Sequence, residues 1–238
     1  MAIGIFANKK IYVNGYDVSG YTNQLTMNMR NDLQDSTSLS DSGRVYTPGH
    51  NEIEFSAEGF WEPTVDGVLH GDIGADTTEI SWYSTAGTAN SIGYGIPATI
   101  ESYAPDIKVG QLRAFSIGAK ATGKVVRLTT LDGVITKTST FDGDVIELGA
   151  VTAAQKVYSF VHVIAASGTS PTLDVTIRSD DNEEHTSATT RITHTQLTDV
   201  GSEVKSADGA ITDTWWSVRC TIGGSDPSFT AIVGVGII

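Results

Sequence analysis

The sequence predicts an all-β fold. Short runs carry apolar residues at alternate positions, and turn clusters rich in Gly, Asn, Asp and Ser separate them. Apart from one brief stretch, no helical period lies between those runs. Thr, Ser and Val are frequent and the long helix formers scarce, which suits pleated strands and tight turns. With 238 residues, of which 39% are apolar, the chain has room for one large β domain or two small ones.

Lys10–Val13 reads as a short strand that turns at Asn14-Gly15, a strong hairpin signal. In Tyr21–Arg30, Leu25, Met27 and Met29 alternate with Gln24, Thr26 and Asn28. In the next strand Ile53, Phe55, Ala57 and Gly59 alternate with Glu52, Glu54, Ser56 and Glu58, giving an apolar face and an acidic one. Asn31–His50, between them, has no sustained apolar period and reads as a long polar loop, either functional or disordered. Pro63 suits the start and Gly71 the stop of one or two helical turns. Thr78–Ser84, Gly93–Tyr103, Gln111–Lys120 and Lys124–Leu131 read as strands, with Pro97 and Pro105 marking Gly93–Tyr103 as an edge or bulged strand.

A second unit is expected to begin near Asp132-Gly133, dividing the chain into domains 1–134 and 135–238. Six strands are expected in it: Val145–Leu148, Lys156–Ala165, Leu173–Arg178, Thr190–Thr195, Thr214–Ile222 and Phe229–Ile237. Ser167–Pro171, Ser179–Glu184 and Gly223–Pro227 read as the turns between them, and this spacing suggests a β-sandwich. Charge hints at the same division, with 9 basic and 14 acidic residues in 1–127 against 6 and 14 in 128–238.

The net charge of −13 argues against a surface that grips phosphate backbones. The lone Cys220 forms no intrachain disulfide and reads as a small buried hydrophobe. The apolar start, Met1–Lys10, is too short for a signal peptide or a membrane span, and no apolar run reaches 18 residues, so neither export nor a membrane partner is expected. The five histidines, His50, His70, His162, His185 and His194, form no zincin pair, and Gly-x-Ser-x-Gly is absent. Gly87–Gly95 lacks the Lys of a phosphate loop. No catalytic, cofactor or metal residue is therefore assigned, and an enzyme is not expected. Asp180–Glu184 carries enough oxygen ligands for Ca²⁺ but lacks the spacing of a calcium loop, so a solvated hairpin turn competes with that reading. Trp215-Trp216 suggests a sugar-stacking platform, but strand neighbours point to opposite faces, which favours one Trp in the core and the other partly exposed.

Ile11–Tyr21, with its short strand, Asn-Gly, Asp17, Val18, Ser19 and Tyr21, resembles the opening of the tail tube (major tail) proteins of long-tailed phages. The likeness continues through Gln24–Arg30, the polar loop, Gly49–Trp61, the helix-like Val65–Leu69 and Ala98–Ala119 with Glu101-Ser102-Tyr103-Ala104-Pro105. It covers roughly residues 10–130 through the order and spacing of its pieces. Simple tube proteins end near the position of Gly123, whereas here about a hundred residues follow, as in phage tail proteins with an added outer domain.

The resemblance implies a tail-tube-type β-sandwich or barrel with one short helix, followed by a second, Ig-like sandwich. It implies a virion subunit, assembled in the host cytoplasm, that forms hexameric rings by joining sheets edge to edge. The rings stack into a conduit for DNA, which passes without specific binding, and the partners are further copies and other tail proteins. The Asn31–His50 loop, with Leu33, Asp35, Asp41 and Arg44, would reach the next ring. Glu52, Glu54 and Glu58 would either line the lumen or be the wet outside of a sheet. A head decoration protein, and a carbohydrate-binding adhesin acting through residues 135–238, are the rival expectations.

Overall fold

The computed structural model describes residues 9–85 and 87–238; the apolar start up to Asn8 lies outside the described residues. In chain order the elements are β1 (Lys10–Val13), β2 (Tyr16–Asp17), β3 (Thr22–Asp35), β4 (Tyr46–Phe60), α1 (Pro63–Gly71), β5 (Thr78–Tyr83), β6 (Ile92–Asp106), β7 (Ala114–Ala121) and β8 (Val126–Lys137). They continue with β9 (Phe141–Asp142), β10 (Ile146–Glu147), β11 (Lys156–Asp180), β12 (Thr189–Thr193), β13 (Gly201–Asp208) and β14 (Trp215–Ile237). The protein is all-β, as expected. It divides into two compact units, one of Met1–Gly20, Thr78–Pro97 and Lys124–Ile238, the other of Tyr21–Thr77 and Ala98–Gly123. The division expected between residues 134 and 135 falls inside β8.

The spine of the first unit is β11 paired antiparallel with β14 from Val157↔Ile237 to Asp180↔Trp215. The Ser167–Pro171 and Gly223–Pro227 clusters, expected as turns, instead face each other inside this ribbon. Its register slips between Val163 and Ala165, between Ser167 and Thr169, and between Thr169 and Thr172. Gly168 and Gly224 have φ of 119° and 109°, and a Cβ on either would fall 2.7 Å from Asp226 O or 2.6 Å from Ser170 O. Left-handed residues thus bend the ribbon into bulges without ending it.

Each half of the ribbon recruits its own neighbours. Lys156–Val163 pairs with β13, and Phe229–Val235 pairs with β8, from which the sheet continues through β6, β5, β1 and β2. The other half pairs with β12 through Thr176–Ser179 and with β9 and β10 through Trp215–Cys220. The first half of β11 is buried on both faces, as a central strand requires. Val157, Val161 and Val163 join a core with Leu173, Val175, Ile177, Trp216 and Val218. Phe160, pointing the other way, packs with Tyr12, Tyr83, Leu128 and Ile232. Cys220 is buried in the first core, and burial pushes its thiol up to about 12.

His162 shares the Phe160 face and is fully buried. Its Nδ1 accepts from Gly15 N at 3.3 Å, which leaves Nε2–H to donate to Ser81 Oγ at 2.9 Å. Burial disfavours the imidazolium and pulls the pKa down to about 3. The unfolded chain therefore binds the extra proton first, and stability falls as pH drops from the ordinary histidine value of about 6.5 towards 3. One such proton costs about 2 kcal/mol between pH 7 and pH 5. Urea titrations at both pH values should show this loss in the wild type and a loss smaller by that amount in His162→Asn. Equal pH dependence of the two proteins would contradict a buried neutral His162.

In the second unit the sheet order is β3-β4-β7-β6, all antiparallel. One face buries Phe55, Ala57, Ile100, Phe115, Ile117 and Ala119. Helix α1 covers that face. Pro63 occupies its first turn, the Glu62 carboxylate accepts from Thr64 N at 2.8 Å, and Val65 and Leu69 are buried. The Asp66 carboxylate accepts from Tyr103 Oη at 2.6 Å on β6 and from Trp61 Nε1 at 2.8 Å after β4. Those hydrogen bonds, from Tyr103 and then Trp61, hold its carboxyl below the usual range. Pro97 lies where β6 changes partners, from β8 through Ile92–Gly95 to β7 through Ala98–Asp106, and a bulge follows between Ile100 and Ser102. A residue without an N–H fits such a change of ladder.

Candidate assembly surfaces

Asn31–His50, expected as a loop, is mostly strand. β3 and β4 stay paired out to Asp35↔Tyr46, so only Ser36–Val45 forms the tip. This outer ribbon escapes the alternation rule because both its faces are in water and no apolar stripe is needed. The last ladder position on β7 is Glu54↔Lys120. Beyond it the Tyr46–Glu52 stretch, at about 3.3 Å per residue, projects roughly 20 Å as an arm two strands wide.

The tip is closed by its own short polar side chains. Asp35 Oδ1 accepts from Thr37 N at 3.0 Å, and Asp41 Oδ2 from Ser38 N at 2.6 Å. Thr37 Oγ1 accepts from Val45 N at 2.9 Å, and Ser36 N donates to Val45 O at 2.9 Å. Hydrogen bonds from the Thr37 hydroxyl and N–H lower the Asp35 pKa, and the Ser38 N–H does so for Asp41. Arg44 Nη1 donates to Tyr46 Oη at 3.3 Å. Of the four residues expected on the loop, Leu33 and Asp35 therefore lie on β3, opposite Pro48 and Tyr46, and Asp41 and Arg44 lie in the tip. Leu33, Leu39, Val45 and Tyr46 expose their apolar surface here, Leu39 completely.

The opposite end of the same sheet carries a second apolar projection, absent from the sequence expectations as a site. The β6–β7 connection, Ile107–Arg113, turns where Gln111 N donates to Lys108 O at 3.2 Å. Ile107, Val109 and Leu112 stand exposed on it. The strand expected over Gln111–Lys120 begins only at Ala114, and Gln111–Arg113 belong to the connection. The sign of the turn is Val109-Gly110 beside Lys108 and Gln111, a turn composition. Arg113 closes the connection with its guanidinium 5.2 Å from the Trp61 ring centre.

The lateral edges of this sheet are also open. Among the described residues β3 has no strand partner other than β4, and the far side of Ala98–Asp106 meets only an isolated bridge, Ile73↔Ile100. The face opposite α1 carries Glu52, Glu54 and Glu58, as the alternation predicted. It is not a bare acidic surface. Arg30 pairs with Glu52 at 2.9 Å and Glu54 at 3.3 Å, and Lys120 reaches Glu52 and Glu101 at 3.7 Å each. Four carboxylates against two cations leave a modest negative excess.

The Trp pair and the Asp180–Glu184 segment follow the plainer of their two expected readings, core beside surface and hairpin turn. Trp216 is fully buried, its Nε1 donating to Gly149 O at 2.9 Å, whereas Trp215 is half-buried, so the two rings form no shared platform. Asp180 caps the β11–β12 turn, accepting from Asp181 N and Ser187 N at 2.8 Å each; those N–H groups, Ser187 first, lower its pKa. Among the described residues no group of three His, Cys, Asp or Glu side chains is placed to hold a metal ion. Distant residues do assemble a Ser-His-Glu row: His194 Nε2 lies 2.9 Å from Ser159 Oγ and its Nδ1 2.8 Å from Glu203 Oε2. Ser159 exposes no surface and His194 almost none, so no substrate reaches the hydroxyl. Burial pulls His194 towards its neutral form. It also opposes the Glu203 charge, but hydrogen bonds from Thr195 and His194 outweigh it there. The row ties the chain after β12 to β11 and β13.

No family model and no curated protein sequence matches the chain. Solved structures do resemble it. The SPP1 tail tube is similar over 54% of this chain and 78% of its own, at 12% identity and a TM-score of 0.43. A chain of the native gene transfer agent virion is similar over 50% of this chain and 95% of its own, at 11% identity and a TM-score of 0.42. SPP1 Dit, described as a hub adsorption apparatus protein of phages infecting Gram-positive hosts, is similar over 97% of this chain and 99% of its own, at 10% identity and a TM-score of 0.36. With every TM-score below one half, these likenesses assign no function, which has to be read from the chain's own surfaces.

Proposed function

We propose that this chain is a structural virion subunit of the phage tail tube type, and that its copies form six-fold rings stacked into a conduit. One observation carries the reading: the β3-β4-β7-β6 sheet is open at both lateral edges and bears an apolar projection at each end. Long unpaired edges are ready templates for another strand, and joining β3 of one copy to β6 of the next around a ring would satisfy both. A subunit whose two ends differ stacks head to tail, which makes a tube rather than a closed pair. The tail-tube-like segment order of residues 10–130 supports the same reading, with six as the ring number and other tail proteins as further partners. The Glu52–Glu58 face, wet and in slight negative excess, would line the lumen and hold DNA phosphates off the wall.

The arm is the element to remove. Replacing Asp32–His50 by an Asn-Gly turn between Asn31 and Asn51, which already face each other across the ladder, should leave a folded subunit. Circular dichroism and thermal melting should match the wild type, and electron microscopy should show isolated rings in place of tubes. Normal tubes from the shortened protein would overturn the role of the arm.

A further inference from the structure

We infer that the Ile107–Arg113 connection of one copy is the seat for the β3–β4 arm of the next copy. This rests on the stacking read above and names the surface that receives the arm. The first ground is position. The arm leaves the sheet beyond Glu54↔Lys120 and stays paired out to Asp35↔Tyr46, and the connection lies beyond the other end, next to Phe60↔Ala114 and Asp106↔Ala114. Copies translated along the strand direction bring the arm end of one sheet towards the connection end of the next. The second ground is apolar surface. Seven of the thirteen large apolar side chains exposed among the described residues lie on these two short segments, four on the arm and three on the connection. Scattered apolar residues need no partner, but concentration at two opposite ends marks a contact.

The third ground is charge. Asp32–Tyr46 carries Asp32, Asp35 and Asp41 against Arg44 alone, whereas Ile107–Arg113 carries Lys108 and Arg113 and no carboxylate. Arm against arm would oppose like charges, and arm against connection opposes unlike ones. Lys108 pairs with Asp106 at 2.6 Å, but both side chains are more than half exposed, and so weak a pair exchanges readily for a carboxylate of the arriving arm. Arg113 is held in place over Trp61.

Charge reversal of the full chain tests the seat, read as the protein concentration at which tubes appear by light scattering and electron microscopy. Lys108→Glu with Gln111→Glu should raise that concentration by about tenfold, and Asp32→Lys with Asp35→Lys should do the same. All four changes in one chain should return it to within about threefold of the wild type, and added salt should shrink every difference. Each variant is checked for folding by circular dichroism; if a reversal disturbs the fold, Val109→Asp, which removes an exposed apolar contact, takes its place and should also raise the concentration about tenfold. Reversed connections that assemble like the wild type, or a fourfold variant no better than either pair, would overturn the seat while leaving wild-type tubes, and hence the tube reading, intact. A wild type that forms no tubes removes both.

Discussion

Cutting the chain after Thr138 is expected to destroy the first unit. The fragment keeps β1, β5, β6 and β8 but loses β11 and β14, and with them Phe160 and Ile232, which cover Tyr12, Tyr83 and Leu128. β8 loses its ladder with Phe229–Val235. Each large side chain uncovered forfeits about 1.5–3 kcal/mol, and a whole domain holds only about 5–15 kcal/mol in reserve, so removing one wall of this core exceeds the margin. The fragment 1–138 should aggregate, or bind a hydrophobic dye and lack a cooperative melt. A soluble fragment that melts cooperatively and builds tubes would mean that residues after Thr138 only decorate an independent domain.

Trp216→Ala is expected to be the most damaging single change. The side chain is fully buried among strands of the first core, and its Nε1–H satisfies the Gly149 carbonyl. Emptying a site of that size costs about 3–5 kcal/mol, before the unpaired carbonyl is counted. In a chain of this length that is a drop of roughly 10 °C in melting temperature. Trp215→Ala, on the half-buried neighbour, should cost much less. Comparable losses from the two would contradict the division of the pair into a core and a surface residue.

Where one face is wet and the other buried, the strands were legible. Glu52–Gly59 alternates in the fold as it does in the sequence, and β1 turns at Asn14-Gly15, where φ is 48° and 82°. α1 begins at its proline and ends at its glycine. What was not legible follows from the same rule. The arm is wet on both faces, so its strands carry no alternation. β13, Gly201–Asp208, has no fully buried residue and only Val204 as a large apolar one. Ser167–Pro171 and Gly223–Pro227 have turn composition because they hold left-handed bulges, and composition does not separate a bulge from a reversal. The boundary near residue 134 rested on such clusters, whereas β8 is joined to β14 nearly a hundred residues later, a pairing with no local signal. Of the candidate site, the arm residues and the carboxylate row were visible in the sequence. The exposed Ile107–Arg113 connection was hidden because the strand expected over Gln111–Lys120 took in its last residues.

Electron microscopy of the purified wild-type protein over a wide concentration range bears most directly on the tube reading. Six-fold rings should give way to tubes with an open lumen as concentration rises. A species that stays monomeric at every concentration by light scattering, and shows neither rings nor tubes in the microscope, would contradict it.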